Sequence, residues 1–359
     1  MASGDFTIEK GVEIDVEHLD IGSGTVIKKG STIRCKSLTI GRDVVLESGT
    51  NISSFRGQRA DTVVIGDNCS IGKDVNFSLP VLVIGDYVTI HKSVGMFGEK
   101  PGVIGHNTWI GERAILNTCG FLYLGNNIGI GAGSHIWTHV GQGELLEGCL
   151  LWGDRPVILE DDTWLVDGQI TISPGVVLRK KSCILPGSVI TKDTLPAHAY
   201  SGIPAKDITD KVPVYREVSL DEKYALMHGF LMEFMTSLEG RRKASTQAYG
   251  KDGTIFAIKG LGSIVLLREW DRKAISDIRE NVGLPLAVVC LENRSATVDE
   301  AVSVFEITSK QYRKNRTSVE VEFMKFMKGY RARFVPSEKP VLGLSLLREY
   351  CPDYARSLD

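Results

Sequence analysis

Large aliphatic residues recur every six positions along the first half of the chain. A period of six fits neither an amphipathic helix nor a long alternating strand. It predicts a short strand followed by a bend, with one large aliphatic side chain of each unit pointing inward. The residues with this spacing form short runs: Ile21, Ile27 and Ile33; Ile40, Leu46 and Ile52; Ile65 and Ile71; Ile84 and Ile90; Ile104, Ile110 and Leu116; Leu124, Ile130 and Ile136; Leu159 and Leu165; and Ile172, Leu178, Ile184 and Ile190.

Glycine often follows these aliphatic residues, and Asp or Asn often comes next, as in IGDN and LGNN. Both features suit a bend, because Gly, Asn and Asp tolerate unusual backbone angles. Three such units close a triangular turn of about eighteen residues, and stacked turns share one core and one set of backbone hydrogen bonds. The segment between Ile21 and Ile190 has room for roughly nine turns of a parallel β-helix.

The pattern is interrupted at two informative places. Six-residue spacing from Leu165 would place an aliphatic residue at Thr171, yet the series resumes at Ile172, which predicts a bulge of one residue. After Ile136, the segment THVGQGELLEGCLLWGDRP has no six-residue spacing. We expect a loop that leaves the coil near 138–156, and long loops on a regular scaffold are often functional.

The six-residue period with its I-G-[DN] corners resembles the hexapeptide acyltransferase superfamily over residues 11–208. The most specific part is LEDDTWLVDGQITISPGVVLRKKSCILPGSVITKDTLPAHAYSGIPAKDI, which is similar to the way members of that family end. The matching residues are Trp164, Pro174, Gly175, Pro186, Gly187, Lys192, Asp193, Pro204, Ala205 and Lys206. The resemblance implies a left-handed parallel β-helix over 1–210, in a protein that is mainly β.

The remaining residues, 211–359, are expected to form a C-terminal α+β domain. Leu226, Phe230 and Phe234 lie four apart, which predicts a helix. GTIFAIKG and GSIVLLREW predict a hairpin, DRKAISDIREN a polar helix, and PLAVVCLE and VSVFEITSKQYRK two further strands. Thr317 and Glu320 form a capping-box pattern at the start of another helix.

Composition excludes several functional classes. The chain has 42 basic and 44 acidic residues, a balance that argues against a general nucleic-acid binder. No apolar run is long enough to span a bilayer, and the N-terminus lacks the apolar core of a signal peptide, so we expect a soluble cytoplasmic protein without membrane partners. The seven cysteines are widely spaced without a CxxC pair, which favours reduced, mostly buried thiols and no tight metal site.

Acyl transfer requires a group that removes a proton from the attacking atom, and imidazole accepts protons near neutral pH. His139, in SHIWTHVGQG, resembles the family's catalytic Thr-His beside a loop and is the first candidate for the base. His135 is the alternative. A third possibility needs no protein base, because a neutral sugar amine can attack directly while the departing thiolate takes the proton.

The resemblance also implies coenzyme A as the acyl donor. The phosphates of this cofactor need cations, and the family places the cofactor along its C-terminal coils. Trp164 is the candidate to flank the pantetheine arm. The basic candidates for the phosphates occupy corners of the last coils: Arg179, Lys180, Lys181, Lys192 and Lys206.

These features predict an acyltransferase that acts on a nucleotide-linked amino sugar. Chain length and domain order resemble the N-acyltransferases of the anthrose pathway, which implies a hydroxyacyl donor and dTDP-4-amino-4,6-dideoxyglucose as acceptor. The resemblance further implies a homotrimer with sites between subunits. Two alternatives stay open: a sugar O-acetyltransferase, and a non-enzymatic β-helix scaffold.

Overall fold

A computed structural model describes residues 5–250, 253–270, 272–292, 302–329, 331–338 and 341–357. The chain divides into two compact units, the first containing residues up to 215 and from 341 onward, the second residues 216–338. The first unit is a parallel β-helix with three faces. The second is an α+β unit, so the predicted fold class, mainly β with a left-handed parallel β-helix and a C-terminal α+β domain, is confirmed.

Each turn of the coil adds one strand to each face, which we name A, B and C in the order in which the chain visits them. Face A contains Thr7–Ile8, Val26–Ile27, Val45–Leu46, Ser70–Ile71, Thr89–Ile90, Trp109–Ile110, Gly129–Ile130, Trp164–Leu165, Cys183–Ile184, Ala199–Gly202 and the antiparallel Ala205–Asp207. Face B contains Asn51–Ser53, Asn76–Ser78, Gly95–Phe97, Ile115–Asn117, His135–Ile136, Thr171–Ile172 and Val189–Ile190. Face C contains Ala60–Ile65, Val81–Ile84, Gly102–Ile104, Leu122–Leu124, Val157–Leu159 and Val177–Leu178. The long strands Glu13–Ile21 and Thr32–Ile40 run through faces B and C of the first coils.

The predicted aliphatic series is the core of the coil. Every member of the series is at most 5% exposed and belongs to one continuous cluster. Two positions missing from the aliphatic pattern are filled by Phe77 and Met96, which take the face B places between Ile52 and Leu116. The six-residue period therefore predicts the core even where the inward side chain is not aliphatic.

The extra residue before Ile172 is accommodated at a corner. Asp167, Gly168 and Gln169 all have positive φ values of 54°, 117° and 55°. A Cβ atom on Gly168 would lie 1.9 Å from the carbonyl oxygen of Ala132, so only glycine fits this close approach. The predicted bulge is confirmed.

The end of the chain returns to the coil. Helices α4 (Val341–Tyr350) and α5 (Pro352–Arg356) cover an apolar column on the outside of face C. Leu346 and Leu347 share a buried cluster with Val83, Val103 and Ile158. The expected C-terminal domain of 211–359 differs from this division, because its last residues belong to the first unit.

In the part of the second unit that the structure describes, a seven-stranded mixed sheet packs with three helices. Its strands, in spatial order, are Ala244–Tyr249, Gly253–Ile258, Gly262–Glu269, Leu286–Glu292, Val302–Glu306, Gln311–Arg313 and Val335–Pro336. Its helices are α1 (Leu220–Ser237), α2 (Arg272–Val282) and α3 (Ser318–Met327). Thr317 caps α3 by accepting a hydrogen bond from the Glu320 N–H at 3.3 Å, as the capping-box pattern predicts. No helix within the described ranges is long and apolar enough to cross a membrane.

Candidate active site

The predicted loop leaves the coil at the corner between faces B and C, and it is a β-hairpin. Its strands, His139–Gly141 and Trp152–Asp154, are antiparallel, with His139 opposite Asp154. The base is closed by the Arg155 N–H, which donates to the Thr138 carbonyl oxygen at 2.7 Å. His139 is therefore held by the coil on one side and by a hairpin on the other.

His139 has a partner one coil away. Its Nδ1 lies 2.9 Å from Oδ1 of Asn117. That same oxygen accepts the Cys119 N–H at 3.2 Å and the Thr138 hydroxyl at 2.7 Å. A backbone N–H can only donate, so this Asn117 atom is the amide oxygen and His139 Nδ1 carries the hydrogen when the ring is neutral. Nε2 is left with its lone pair, as a general base requires.

Asn117 was not among the residues predicted from the sequence. It ends the face B strand Ile115–Asn117 and is 1% exposed, while Thr138 is fully buried. The sequence does contain a signal for Asn117. It directly follows the core residue Leu116, just as Trp137 directly follows the core residue Ile136 one coil later, so Asn117 lies one coil away from the start of the loop. This signal becomes visible when corner positions of successive coils are aligned with each other, because residues far apart in the sequence then become neighbours.

Gly120 lets the hairpin base close against the coil. Its N–H donates to the Thr138 hydroxyl at 2.8 Å. A Cβ atom here would lie 2.9 Å from the carbonyl oxygens of both Thr138 and Arg155. Any larger residue would therefore push the hairpin, and His139 with it, away from Asn117.

His135, the alternative base, is placed differently. It lies on the outer side of face B, and the Trp137 ring stands between the two histidines, with ring centroids 6.1 Å from His135 and 6.2 Å from His139. Its ring forms no hydrogen bond or ion pair with the residues that the structure describes. His135 therefore lacks the partner that fixes the tautomer of His139.

Two cations lie at this corner on the C-terminal side of His139. Lys192 follows the face B strand Val189–Ile190, two coils from His139, a distance of roughly 10 Å along the coil axis. Arg155 runs over Gly175 between them, since a Cβ atom on Gly175 would lie 3.0 Å from Arg155 Cδ. Within the described part of the chain neither side chain has an ion-pair partner. Lys192 was predicted to bind the cofactor, whereas Arg155 was not.

The other basic candidates lie at a different corner, between faces C and A. Arg179 donates to Oε1 of Glu160 at 2.9 Å and lies near Asp193 and the Tyr354 ring. The hydrogen bond to Glu160 raises the pKa of Arg179, and the neighbouring carboxylates neutralise its charge. Lys181 stands 5.3 Å from the ring centroid of Tyr215, while Lys180 is exposed. Lys206 is exposed in the strand Ala205–Asp207, at the end of face A.

Trp164 lies on the outer side of face A, half exposed, with its ring over Gly129. Trp109 occupies the same column on the other side of Gly129. Face A is opposite the corner between faces B and C in a triangular cross-section. The Trp164 and His139 of one chain therefore cannot line the same cleft.

No three metal-ligating side chains lie together among the described residues. The cysteines fit the predicted buried thiols, since Cys35, Cys69, Cys183, Cys290 and Cys351 are buried. Burial raises the pKa of Cys35 to about 11 and that of Cys290 to about 12.

No protein-family model matches the chain, and no curated protein matches it either. Among solved structures, it is similar to the polysialic acid O-acetyltransferase OatWY, at 19% identity over 60% of this chain and 93% of that one, with a TM-score of 0.38. It is also similar to the UDP-N-acetylglucosamine acyltransferase from Campylobacter jejuni, at 18% identity over 62% of this chain and 88% of that one, with a TM-score of 0.37. A third is AntD, an N-acyltransferase from Bacillus cereus in complex with dTDP and coenzyme A, at 13% identity over 60% and 92% of the two chains, with a TM-score of 0.30. All three are acyltransferases, and at these values the similarities establish nothing about the activity of this chain.

Proposed function

We propose that the protein is a coenzyme A-dependent acyltransferase that acylates the amino group of a nucleotide-linked amino sugar such as dTDP-4-amino-4,6-dideoxyglucose. One observation carries the proposal. The side-chain amide oxygen of Asn117 accepts a hydrogen bond from His139 Nδ1 at 2.9 Å and leaves Nε2 as a proton acceptor at the base of a hairpin. A partly exposed imidazole held in one tautomer is the device that proton removal from an acceptor needs.

The chemistry follows from this orientation. Nε2 of His139 takes a proton from the acceptor amine as its nitrogen forms a bond to the thioester carbon. The bond between that carbon and sulfur then breaks, and the leaving thiolate takes the proton from the imidazolium ring. Asn117 stabilises the imidazolium by keeping its oxygen on the Nδ1 hydrogen throughout.

The corner between faces B and C also suits an anionic cofactor. The phosphates of coenzyme A need cations that are not already paired, and Arg155 and Lys192 meet this condition within the described residues. Arg179 does not meet it, because Glu160 already binds its guanidinium group. We therefore assign the phosphate role first to Lys192 and Arg155, and keep Lys180, Lys181 and Lys206 for a neighbouring subunit.

A homotrimer with sites between subunits would bring Trp164 of one chain close to His139 of another. In one chain Trp164 and His139 face away from each other, so a cleft that contains both needs two subunits. The hairpin tip supports the same arrangement, because Leu146, Leu150 and Trp152 are 91%, 97% and 61% exposed. Apolar side chains at such exposure are stabilised when a partner covers them.

A sugar O-acetyltransferase is the second candidate, because the fixed tautomer of His139 also supplies the base that a sugar hydroxyl requires. A sugar hydroxyl is too weak an acid to react without a base, whereas a neutral amine can attack unaided. Both activities use an acyl-CoA donor, so the acceptor group distinguishes them. A β-helix scaffold without activity is the remaining alternative.

A thiol-release assay separates these functions. Acetyl-CoA and hydroxyacyl-CoA donors are each paired with dTDP-4-amino-4,6-dideoxyglucose, with other amino sugars and with sugars that carry only hydroxyl groups. The proposal expects thiol release that depends on an amino acceptor. Release with hydroxyl acceptors alone would favour the O-acetyltransferase, and no release above background with any pair would support the scaffold.

A further inference from the structure

The second unit contains a groove of about 530 Å³ that the proposed reaction does not use. Its floor is a row of small residues on adjacent strands, with Ser245 opposite Ala257 and Ala257 opposite Ser263. The next row on the same face carries Ile255 and Val265, which pack in a buried cluster with α2. The sheet is therefore covered where its side chains are large and open where they are small.

The groove has an apolar wall and a cationic rim. Val282, Leu284 and Pro285 line one side, and Leu284 is 47% exposed. Lys243 and Lys259 line one end, where the Lys259 N–H donates to the Lys243 carbonyl oxygen at 2.9 Å. No carboxylate is among the lining residues, all of which the structure describes. The rim is therefore positive without internal neutralisation.

Ser263 is the feature that points to a ligand. Its side chain lines the groove and is only 4% exposed, yet its hydroxyl forms no hydrogen bond with the described residues. The other two serines of the groove differ from it, since Ser318 donates to the Leu261 carbonyl oxygen at 2.9 Å and Ser245 is exposed. The Ser263 hydroxyl opens into the groove, where an oxygen of a bound ligand can accept its hydrogen bond.

We propose that this groove binds a small organic phosphate. The ammonium groups of Lys243 and Lys259 hold the phosphate, because ammonium groups and hydroxyls both donate to phosphate oxygens. The Ser263 hydroxyl donates to an oxygen of the ligand inside the groove. The apolar part of the ligand lies against Leu284 and Val282. The site is independent of the acyltransferase proposal.

Calorimetric titration of the full-length protein with phenyl phosphate tests the site. We expect saturable binding that Lys259→Gln and Ser263→Val each weaken about tenfold, the effect of removing a hydrogen bond to a charged group. Lys325→Gln, which removes an exposed lysine on α3 outside the groove, serves as the matched control and leaves the affinity unchanged. Circular dichroism confirms that Ser263→Val is folded, and Lys259→Gln alters only an exposed side chain.

Inorganic phosphate and benzoate distinguish the parts of the proposal. Phenyl phosphate binds more tightly than either, because benzoate lacks the phosphate and inorganic phosphate lacks the apolar group. Any one of three results overturns the inference. These are no saturable binding of phenyl phosphate, a loss of affinity in Lys325→Gln equal to that in the groove variants, or inorganic phosphate binding as tightly as phenyl phosphate.

Discussion

Nδ1 of His139 and Oδ1 of Asn117 lie 2.9 Å apart, although the two residues are separated by one whole turn of the coil. The Cys119 N–H and the Thr138 hydroxyl donate to the same oxygen. These two hydrogen bonds fix the orientation of the Asn117 amide independently of His139. The amide oxygen in turn determines that Nδ1 of His139 is bonded and that Nε2 is the free ring nitrogen. Positioning of the base depends on the stacking of coils and not on the hairpin alone.

Asn117→Ala should lower turnover about tenfold, because the ring loses the hydrogen bond that selects its tautomer. Asn117→Asp is the informative variant. A carboxylate beside Nδ1 favours the imidazolium ion, so the acidic limb of the turnover profile should move to higher pH. A residue with only a structural role would lower activity without moving that limb.

Arg155→Gln should raise the KM for acyl-CoA about tenfold, since it removes one charged contact to phosphate. The same variant should use an acyl thioester of N-acetylcysteamine as well as the parent protein does, because that donor carries no phosphates. Arg34→Gln removes an exposed charge on an early coil and is the control. Equal losses with both donors would show that Arg155 supports the hairpin instead.

Mixed trimers test whether Trp164 and His139 act from different subunits. Trp164→Ala and His139→Ala should each be poorly active as pure assemblies. After the two are unfolded together and reassembled in equal amounts, about a quarter of the intersubunit sites should combine both native residues. Activity that stays at the level of the pure variants, or a stable monomer with full activity in sedimentation, would contradict the shared site.

Asp207 should make folding stability depend on pH at the end of the coil. Its carboxylate accepts hydrogen bonds from the Thr209 hydroxyl and N–H and contacts His198 Nδ1 at 2.6 Å, and these contacts lower its pKa from 3.8 to about 2. A lowered folded-state pKa stabilises the fold above pH 3.8, and this contribution is lost as pH falls through 2.

Asp207→Asn should therefore be less stable than the parent near pH 6, and the difference should shrink between pH 4 and pH 2. Denaturant unfolding at a series of pH values measures it. Asp210→Asn, at an exposed neighbour, is the control. If the difference in unfolding free energy between Asp207→Asn and the parent does not change with pH, the charge of Asp207 is not the cause of its stabilising effect.

The coil core could be predicted from the sequence because its period is local. Six-residue spacing places each inward side chain, and even the bulge before Ile172 follows from one extra residue. The covering of face C was missed, although a signal for it existed. Val83, Val103 and Ile158 precede the core residue of their strands and point outward, and apolar residues in such a column predict a partner.

The candidate site was harder to predict because its partners come from different coils. The Arg179 charge is neutralised by Glu160, nineteen residues earlier, and no local pattern indicates this pair. Arg155 was overlooked because it sits at the end of a segment with no repeat. A sequence shows which residues are charged or apolar. The face of the coil on which each residue lies depends on how the strands of successive coils are aligned, which the sequence does not show directly.

The turnover of His139 variants in the thiol-release assay tests the account most directly. General-base catalysis supplies roughly 100- to 10,000-fold, so His139→Ala should lower kcat by at least about 100-fold, or about 2.7 kcal/mol in the barrier. His139→Asn should behave alike because it cannot take the proton, while the KM for acyl-CoA stays similar and His135→Ala stays near the parent value. A loss below tenfold in both His139 variants would contradict the account and favour direct attack by a neutral amine.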